Sequence, residues 1–137
     1  MKTAPTLLPD ALKEILDSTR AFAHLTTLDP DGSPQATAMW VMRQDEMILM
    51  NTAEGRRKHR NLQRDPRVAI SISKHDDPYS NFSIQGRVVE MRTSDGVEVI
   101  DALARKYLDG VDRYPWLQPG MVRVTLVIEP TRIAANG

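Results

Sequence analysis

The residue types best suited to binding chemistry are concentrated between positions 51 and 67, in the segment NTAEGRRKHRNLQRDPR. This segment holds six of the chain's 18 lysines and arginines, although the whole chain has equal numbers of acidic and basic residues. The six cations are Arg56, Arg57, Lys58, Arg60, Arg64 and Arg67. A short helix beginning here would direct free backbone N–H groups and first-turn cations toward one phosphate or carboxylate. The alternative interpretation is a solvated basic helix.

Local signals indicate where this helix begins and ends. Asn51 and Thr52 are candidate N-caps, and Glu54 is placed to complete a capping box. The Asp-Pro pair at positions 65–66 disfavours continuation of the helix. The segment therefore predicts a short helix that carries most of the cations.

The cations differ in what they can reach. Arg56 and Arg60 lie four positions apart on one face, and Lys58 lies nearer the opposite side. Arg56 and Lys58 can still reach the same anion, because first-turn side chains fan around the helix start. Arginine offers a planar fork to paired oxygens, and lysine offers a compact charge. Arg64 and Arg67 are expected to form ordinary surface ion pairs.

Composition limits the class of protein. At 137 residues the chain has room for one core, so residues 1–137 are treated as a single domain. A net charge of zero argues against a general nucleic-acid binder. The absence of cysteine excludes disulfides, thiolate metal sites and cysteine nucleophiles. No signal-peptide pattern and no apolar run of ~18–20 residues occurs, and we expect a cytoplasmic protein.

Periodicity and turn residues predict the elements that must position the cations. Apolar residues at helical spacing predict helices from residue 9 and over residues 95–108. Runs of β-forming residues predict strands over 21–28, 35–42, 47–50, 68–73, 81–91 and 121–129, with a short segment over 131–135. Gly86 indicates a bulge or a close backbone approach. The chain is therefore predicted to be mainly β, as an antiparallel barrel or sandwich with flanking helices.

Motifs of self-contained catalysis are missing. No glycine-rich dinucleotide or triphosphate loop, no G-x-S-x-G elbow and no H-E-x-x-H helix occurs. His24, His59 and His75 share no metal-ligand spacing. These absences favour a protein in which a bound cofactor carries the reaction, with no metal and no assigned catalytic side chain.

A few residues outside the basic helix could line an adjoining pocket. Gln35 lies on one face of the second predicted strand, and Trp40 follows on the other. Tyr79 is expected in the loop before the fifth strand, and Trp116 in the loop over 112–120. We treat Trp40 and Trp116 as candidate substrate residues, although loop aromatics also cover the edges of cores.

Several segments occur in a distinctive order. A hairpin carries D-G-S-P-Q at 31–35, a strand ends in N-T-A-E at 51–54, and R-R-K-H-R-N-L-Q-R-D-P-R-V-A-I follows at 56–70. The next long strand contains I-Q-G-R-V at 84–88. Over about residues 9–133 this order resembles the pyridoxamine-phosphate-oxidase-like flavin and deazaflavin proteins, and most of all the small reductases that use coenzyme F420.

The resemblance implies a split β-barrel of six to seven antiparallel strands, which forms a homodimer with two cofactor sites at the subunit interface. Residues matching Arg56 and Lys58 hold the cofactor phosphate in such proteins, and Asn61 matches a position beside it. Tyr79 and Asn81 match positions supplied by the other subunit. The cofactor-binding candidates are Gln35, Asn51, Thr52, Ala53, Arg56, Lys58, Arg60, Asn61, Tyr79 and Asn81.

The function implied is an F420-dependent reductase that transfers a hydride to an unsaturated or quinoid small molecule. Vitamin B6 oxidation is not expected, because the sequence ends soon after the last predicted strand. One alternative is an FMN-binding oxidoreductase, and a second is a non-catalytic carrier of flavin or F420. A nucleic-acid module is a weaker alternative, because the charge is balanced and exposed aromatic residues are not interleaved with the cations. No membrane partner is expected.

Overall fold

The computed structural model describes residues 6–136. Its three helices are α1 (Asp10–Ser18), α2 (Arg57–Arg64) and α3 (Gly96–Tyr107). Its strands are β1 (Ala23–Leu28), β2 (Pro34–Met39), β3 (Met42–Gln44), β4 (Met47–Ala53), β5 (Arg67–Lys74), β6 (Asp77–Arg92) and β7 (Arg123–Ala135). The three predicted helices and the mainly β class are confirmed.

All seven strands belong to one antiparallel sheet in the order β2-β1-β5-β6-β7-β4-β3. The two edge strands, β2 and β3, are consecutive in the chain and are joined only by Trp40 and Val41. So short a connection requires the sheet to coil until its edges approach each other. The result is a barrel that is open along one seam, as the predicted fold class describes.

One apolar cluster fills the barrel. Alternate residues of β5 and β6 point inward, which explains the regular buried–exposed pattern of VAISIS. Helix α1 packs Leu12, Ile15 and Leu16 against the same cluster. A second, smaller cluster lies outside the barrel, where α3 packs Ile100, Leu103 and Tyr107 against Trp40.

Helix α3 is seated closely on β7. A Cβ atom on Gly96 would lie 1.9 Å from the carbonyl oxygen of Arg123, so only glycine permits this approach. The helical spacing predicts that Val97 belongs to the apolar stripe of this helix, but Val97 is 43% exposed and Val99 is buried in its place. This contact fixes the first turn of α3 beside the strand that carries Arg123.

Two predicted strands have different limits. The strand predicted over 35–42 bends at Trp40 and Val41 into β2 and β3. The strand predicted to end before Pro130 continues through it as β7, because Pro130 lies opposite Gly86 where the register shifts. The predicted irregularity at Gly86 is confirmed, because a Cβ atom on Gly86 would lie only 2.6 Å from the carbonyl oxygen of Glu129. A bulge accommodates a residue that has no backbone N–H.

Within residues 6–136, none of the helices is both long and apolar enough to cross a membrane.

Candidate functional site

Helix α2 begins later than predicted. Asn51 and Thr52 do not cap it, because both lie within β4 and pair with β7. The N-cap position is Arg56, which makes no side-chain capping bond, and the first turn contains no acid. The proposed capping box is therefore wrong. Gly55 makes the reversal at φ +89° and donates its N–H to Nδ1 of His59 at 3.1 Å.

The start of α2 has unused hydrogen-bond donors. The first helical bond in this turn runs from the N–H of Arg60 to the carbonyl of Arg56, at 3.0 Å. The backbone N–H groups of the three residues between them find no acceptor within residues 6–136. These donors and the positive end of the helix dipole make the turn suitable for an anion.

Tertiary contacts divide the six cations into two sets of three. Arg57 forms an ion pair with Asp29, with Nε–Oδ1 at 2.9 Å, and Arg67 pairs with Asp65 at 2.8 Å. Arg64 donates to the carbonyl of Leu28 and to Asn61. The expected pairing of Arg67 is confirmed, and that of Arg64 is replaced by bonds to neutral acceptors.

The other three cations have no such partner. Arg56, Lys58 and Arg60 form no ion pair or side-chain hydrogen bond within residues 6–136. They are the three that the sequence singled out. Burial lowers the pKa of Lys58, and the neighbouring charges of Arg56 and Arg123 lower it further. Arg56 and Lys58 thus form a positive group that has no counter-ion among the described residues. Arg60 lies apart from them, in a cleft that it lines with Arg57, Arg64, Asp29 and Asp31.

Arg123 joins this group from β7, and the sequence analysis missed it. It lies directly opposite Ala53 in the β4–β7 ladder and is only 4% exposed. Its Nε donates to Oδ1 of Asn51 at 2.9 Å, and its guanidinium carbon lies 5.1 Å from the centre of the Tyr114 ring. Burial is the main cause of its lowered pKa. A cation among the mainly apolar residues of MVRVTLVIE was the signal that could have revealed it.

Asn51 is committed to contacts within the protein. Besides accepting from Arg123, its amide donates from Nδ2 to the carbonyl of Gly96 at 2.8 Å. Asn51 therefore ties β4, β7 and the start of α3 together, and it holds the guanidinium of Arg123 in place. Ala53 is buried beside it at the end of β4.

Asn61 is also an internal bridge. Its buried amide donates to Oγ1 of Thr27 and to Oδ1 of Asp29, both at 3.0 Å, while its oxygen accepts from Arg64. These bonds fasten α2 to the end of β1. Asn61 thus lies on the helix that carries Lys58, with its side chain directed at the protein.

Two of the predicted residues contain buried oxygens without a partner. Oγ1 of Thr52 and Oε1 of Gln35 have no hydrogen-bond partner in the described chain, and Thr52 is only 1% exposed. Buried polar atoms normally have one, so each is a candidate acceptor for an outside donor.

An aromatic cavity of about 240 Å³ opens between β2, α3 and the loop before β7. Trp40 stacks on Tyr107 with ring centres 5.5 Å apart, and Tyr114 meets Trp40 and Trp116 edge-on at 6.2 and 5.6 Å. The cavity lining includes both candidate substrate residues, Trp40 and Trp116, together with Asn51 and Arg123. The cavity and the positive group therefore share Arg123.

Tyr79 and Asn81 lie elsewhere in the chain. The loop expected before the fifth predicted strand is only a two-residue turn between Lys74 and Asp77, so Tyr79 belongs to β6 and not to a loop. Asn81 pairs with Ser73 at the end of the sheet where β1 begins, whereas α2 is bonded to the other end of β1. At about 3.3 Å per strand residue, the length of β1 separates them from the start of α2 in one chain. Tyr79 is 85% exposed.

Within the described residues, no group of three or more histidine, aspartate or glutamate side chains is placed to hold a metal ion.

Comparisons with known proteins agree with this architecture. A structure described as an F420 reductase shares 29% identity, with a TM-score of 0.78, over 93% of this chain and 98% of that one. The conserved hypothetical protein Rv2991 of Mycobacterium tuberculosis shares 24% identity and the fold, with a TM-score of 0.72, over 98% and 88% of the two chains. General Stress Protein 26 of Bacillus anthracis shares the fold at 17% identity and a TM-score of 0.64, over 90% and 92%.

No curated protein matches the chain in sequence. The pyridoxamine 5'-phosphate oxidase family, in contrast, matches it continuously over residues 8–136. The match spans every helix and every strand described above. The chain therefore belongs to the pyridoxamine 5'-phosphate oxidase family.

Proposed function

We propose that this protein is an F420-dependent reductase that acts on an unsaturated or quinoid small molecule. The observation that carries the proposal is the positive group at the start of α2, which has no counter-ion within residues 6–136 and adjoins an aromatic cavity. An anionic tail joined to a planar redox ring matches both halves of this site. The similarity to an F420 reductase at 29% identity supports the choice of deazaflavin.

The residues present fit such a cofactor. Arg56 and Lys58, with the free N–H groups of the first turn of α2, would hold its phosphate. Arg60, one turn later and exposed, lies beside Arg57 and Arg64 and would contribute positive charge at longer range. The unpartnered oxygens of Thr52 and Gln35 would accept hydrogen bonds from the ring or its hydroxylated chain.

Bound and reduced, the deazaflavin would supply a hydride to the substrate. The chain's own residues would bind the cofactor and orient the substrate. Trp40 and Trp116 would confine a flat substrate within the cavity and limit the access of water. Asn51 would keep Arg123 in its place on the wall. Solvent is a sufficient proton donor, and no side chain is assigned that role.

The site would be completed by a second copy of the chain. Tyr79 and Asn81 lie too far from α2 to act within one chain, and Tyr79 is 85% exposed. The middle of the outward face of β5 is formed by Ala69 and Ser71, both exposed and small, and Arg67 lies at its start. Such a flat face suits close approach of another sheet. A homodimer would place the β5–β6 hairpin of one copy at the α2 start of the other.

FMN is the second candidate cofactor, because the family to which the chain belongs also supports flavin binding and the same helix could hold its single phosphate.

Purified protein should be titrated with F420 and with FMN while cofactor fluorescence is followed. The reduced complex should then be exposed to a panel of quinones and enones while the return of cofactor absorbance is recorded.

F420 is expected to bind more tightly than FMN, and the reduced cofactor is expected to be reoxidised when a substrate is added. Preference for FMN would select the flavin alternative. Binding without reoxidation by any compound would indicate a carrier. Failure to bind either cofactor would refute the proposal.

A further inference from the structure

Arg123 is unusual among the arginines of this protein. It is buried to 4% exposure, yet it has no acidic partner within residues 6–136. Other arginines that pair with acids, such as Arg43 and Arg57, lie at the surface. A buried charge without a counter-ion is strongly destabilising, because desolvation is not offset by an opposite charge. Its presence at this position therefore calls for a ligand.

The guanidinium retains hydrogen-bonding capacity. Of its five N–H groups, Nε donates to Asn51 at 2.9 Å, and Nη1 makes only a weak contact with the sulfur of Met121 at 3.6 Å. Nη2 makes no hydrogen bond of normal geometry within residues 6–136, and the Tyr114 side chain beside the guanidinium acts to raise the pKa of Arg123. Arg123 lines the aromatic cavity, so a ligand there would meet the guanidinium.

The orientation of this group is fixed in advance. Asn51, itself held by the carbonyl of Gly96, bonds to Nε of the guanidinium, and the guanidinium carbon lies 5.1 Å from the centre of the Tyr114 ring. These two contacts restrict the guanidinium and leave the edge formed by Nη1 and Nη2 for a ligand. A preorganised fork of this kind recognises a planar pair of oxygens.

The rest of the cavity is apolar and flat-sided. Its walls include Trp40, Ile100, Leu103 and Trp116. A planar ring can pack against these indole and aliphatic surfaces. The guanidinium of Arg123 and the aromatic walls together favour a ligand that has both an anionic group and a flat ring.

We propose that Arg123 is the substrate anchor, and that the substrate is a planar unsaturated or aromatic carboxylate whose oxygens bind the guanidinium while its ring lies against Trp40. This inference rests on the proposed function, since it names the substrate class of the same cavity. Arg56 and Lys58 serve the cofactor, and Arg123 serves the substrate.

The test uses two matched probes, 2-naphthoate and its neutral amide, 2-naphthamide. Binding of each is measured by quenching of tryptophan fluorescence and by calorimetry, with and without saturating F420. Wild-type protein should bind the carboxylate at least ~10-fold more tightly than the amide, as a charge-assisted pair requires. Arg123→Met should reduce binding of the carboxylate to the level of the amide and leave the amide unchanged. The affinity of Arg123→Lys for the carboxylate should lie between those of the wild type and of Arg123→Met.

Arg113→Met is the control, because it removes one positive charge from the exposed loop next to Tyr114. It should leave both affinities within about twofold. Thermal unfolding of each variant identifies any loss of structure, and Arg123→Lys keeps the test decisive if Arg123→Met unfolds.

Equal wild-type affinity for acid and amide would overturn the proposal. So would a loss of F420 affinity in the Arg123 variants with no change for 2-naphthoate, which would assign Arg123 to the cofactor. Arg123-dependent binding of naphthoate by a protein that binds neither F420 nor FMN would support this anchor while refuting the reductase. The two proposals can therefore fail separately.

Discussion

Replacing Arg56 and Lys58 together by alanine should weaken the binding of a phosphate-bearing cofactor. A hydrogen bond to a charged group contributes about 1.5–3 kcal/mol. Arg56 is exposed, so solvent screening places it at or below the lower limit, whereas Lys58 is half-buried and lies higher. The N–H groups of α2 remain in the variant and retain part of the affinity. The expected loss is about 2–4 kcal/mol, or about 30- to 700-fold in Kd.

The assay compares each cofactor with its phosphate-free counterpart. F420 is paired with the bare deazaflavin chromophore, and FMN is paired with riboflavin. Fluorescence titrations give Kd values for wild-type protein and for the double variant. Only the phosphate-bearing cofactor of each pair should lose affinity, because the proposed contacts are made to the phosphate.

A second double variant, Arg57→Ala with Arg67→Ala, removes the same charge from the same region. These two cations are already paired with Asp29 and Asp65, so their loss should change Kd by less than about threefold. Equal losses in both double variants would show that general charge, and not a local site, attracts the cofactor. Unchanged Kd in the Arg56/Lys58 variant, or an equal loss with riboflavin, would refute the anion-site reasoning.

Three further outcomes are expected. The pKa of Lys58 lies below its ordinary value of 10.5, so cofactor affinity should begin to fall before the pH is raised to 10.5. Lys58→Arg should abolish this alkaline loss in titrations across pH 7–11. Burial lowers the pKa of Lys106 to about 8, whereas the unfolded chain titrates near ~10.4. Between these values the unfolded chain binds more protons, so the free energy of unfolding should contain a term that rises from pH 8 to pH 10. Urea denaturation should show that term in the wild type and not in Lys106→Met. Gly96→Ala should destabilise the fold by about 1–3 kcal/mol, because the new Cβ meets the backbone of Arg123. Val97→Ala, on an exposed neighbour, should change unfolding by less than about 0.5 kcal/mol.

Local patterns were sufficient for most of the elements. Strict alternation in VAISIS and the apolar spacing after residue 95 both depend on which face is buried, and burial follows directly from side-chain type. The irregularity at Gly86 was predictable because only glycine tolerates so close a backbone contact. Secondary structure at these places is decided by the residues themselves.

Other features depend on partners far away in the chain. Asn51 and Thr52 have good capping chemistry, but pairing of β4 with β7 extends the strand through them, and this ladder overrides the local preference. Pro130 looked like the end of a strand because its bulge partner lies over 40 positions earlier, at Gly86. Sequence spacing contains no record of either pairing.

The candidate site was predictable in the same uneven way. The concentration of charge identified the start of α2. It did not show that Arg57 is paired while Arg56 is not, because the partner of Arg57 is Asp29, which only the fold brings close. Arg123 was missed because its placement depends on Asn51, which lies 72 positions earlier in the chain. Trp40 and Trp116 were named separately, and the folded chain brings them to one cavity.

Tyr79 stands at the opposite end of the sheet from the start of α2. In a homodimer whose hairpins complete each other's sites, cofactor loading and self-association are thermodynamically linked, and each strengthens the other. Dilution would then release cofactor, and saturating cofactor would lower the dimer dissociation constant. Retention of cofactor in the cell would therefore depend on how much of the protein is made.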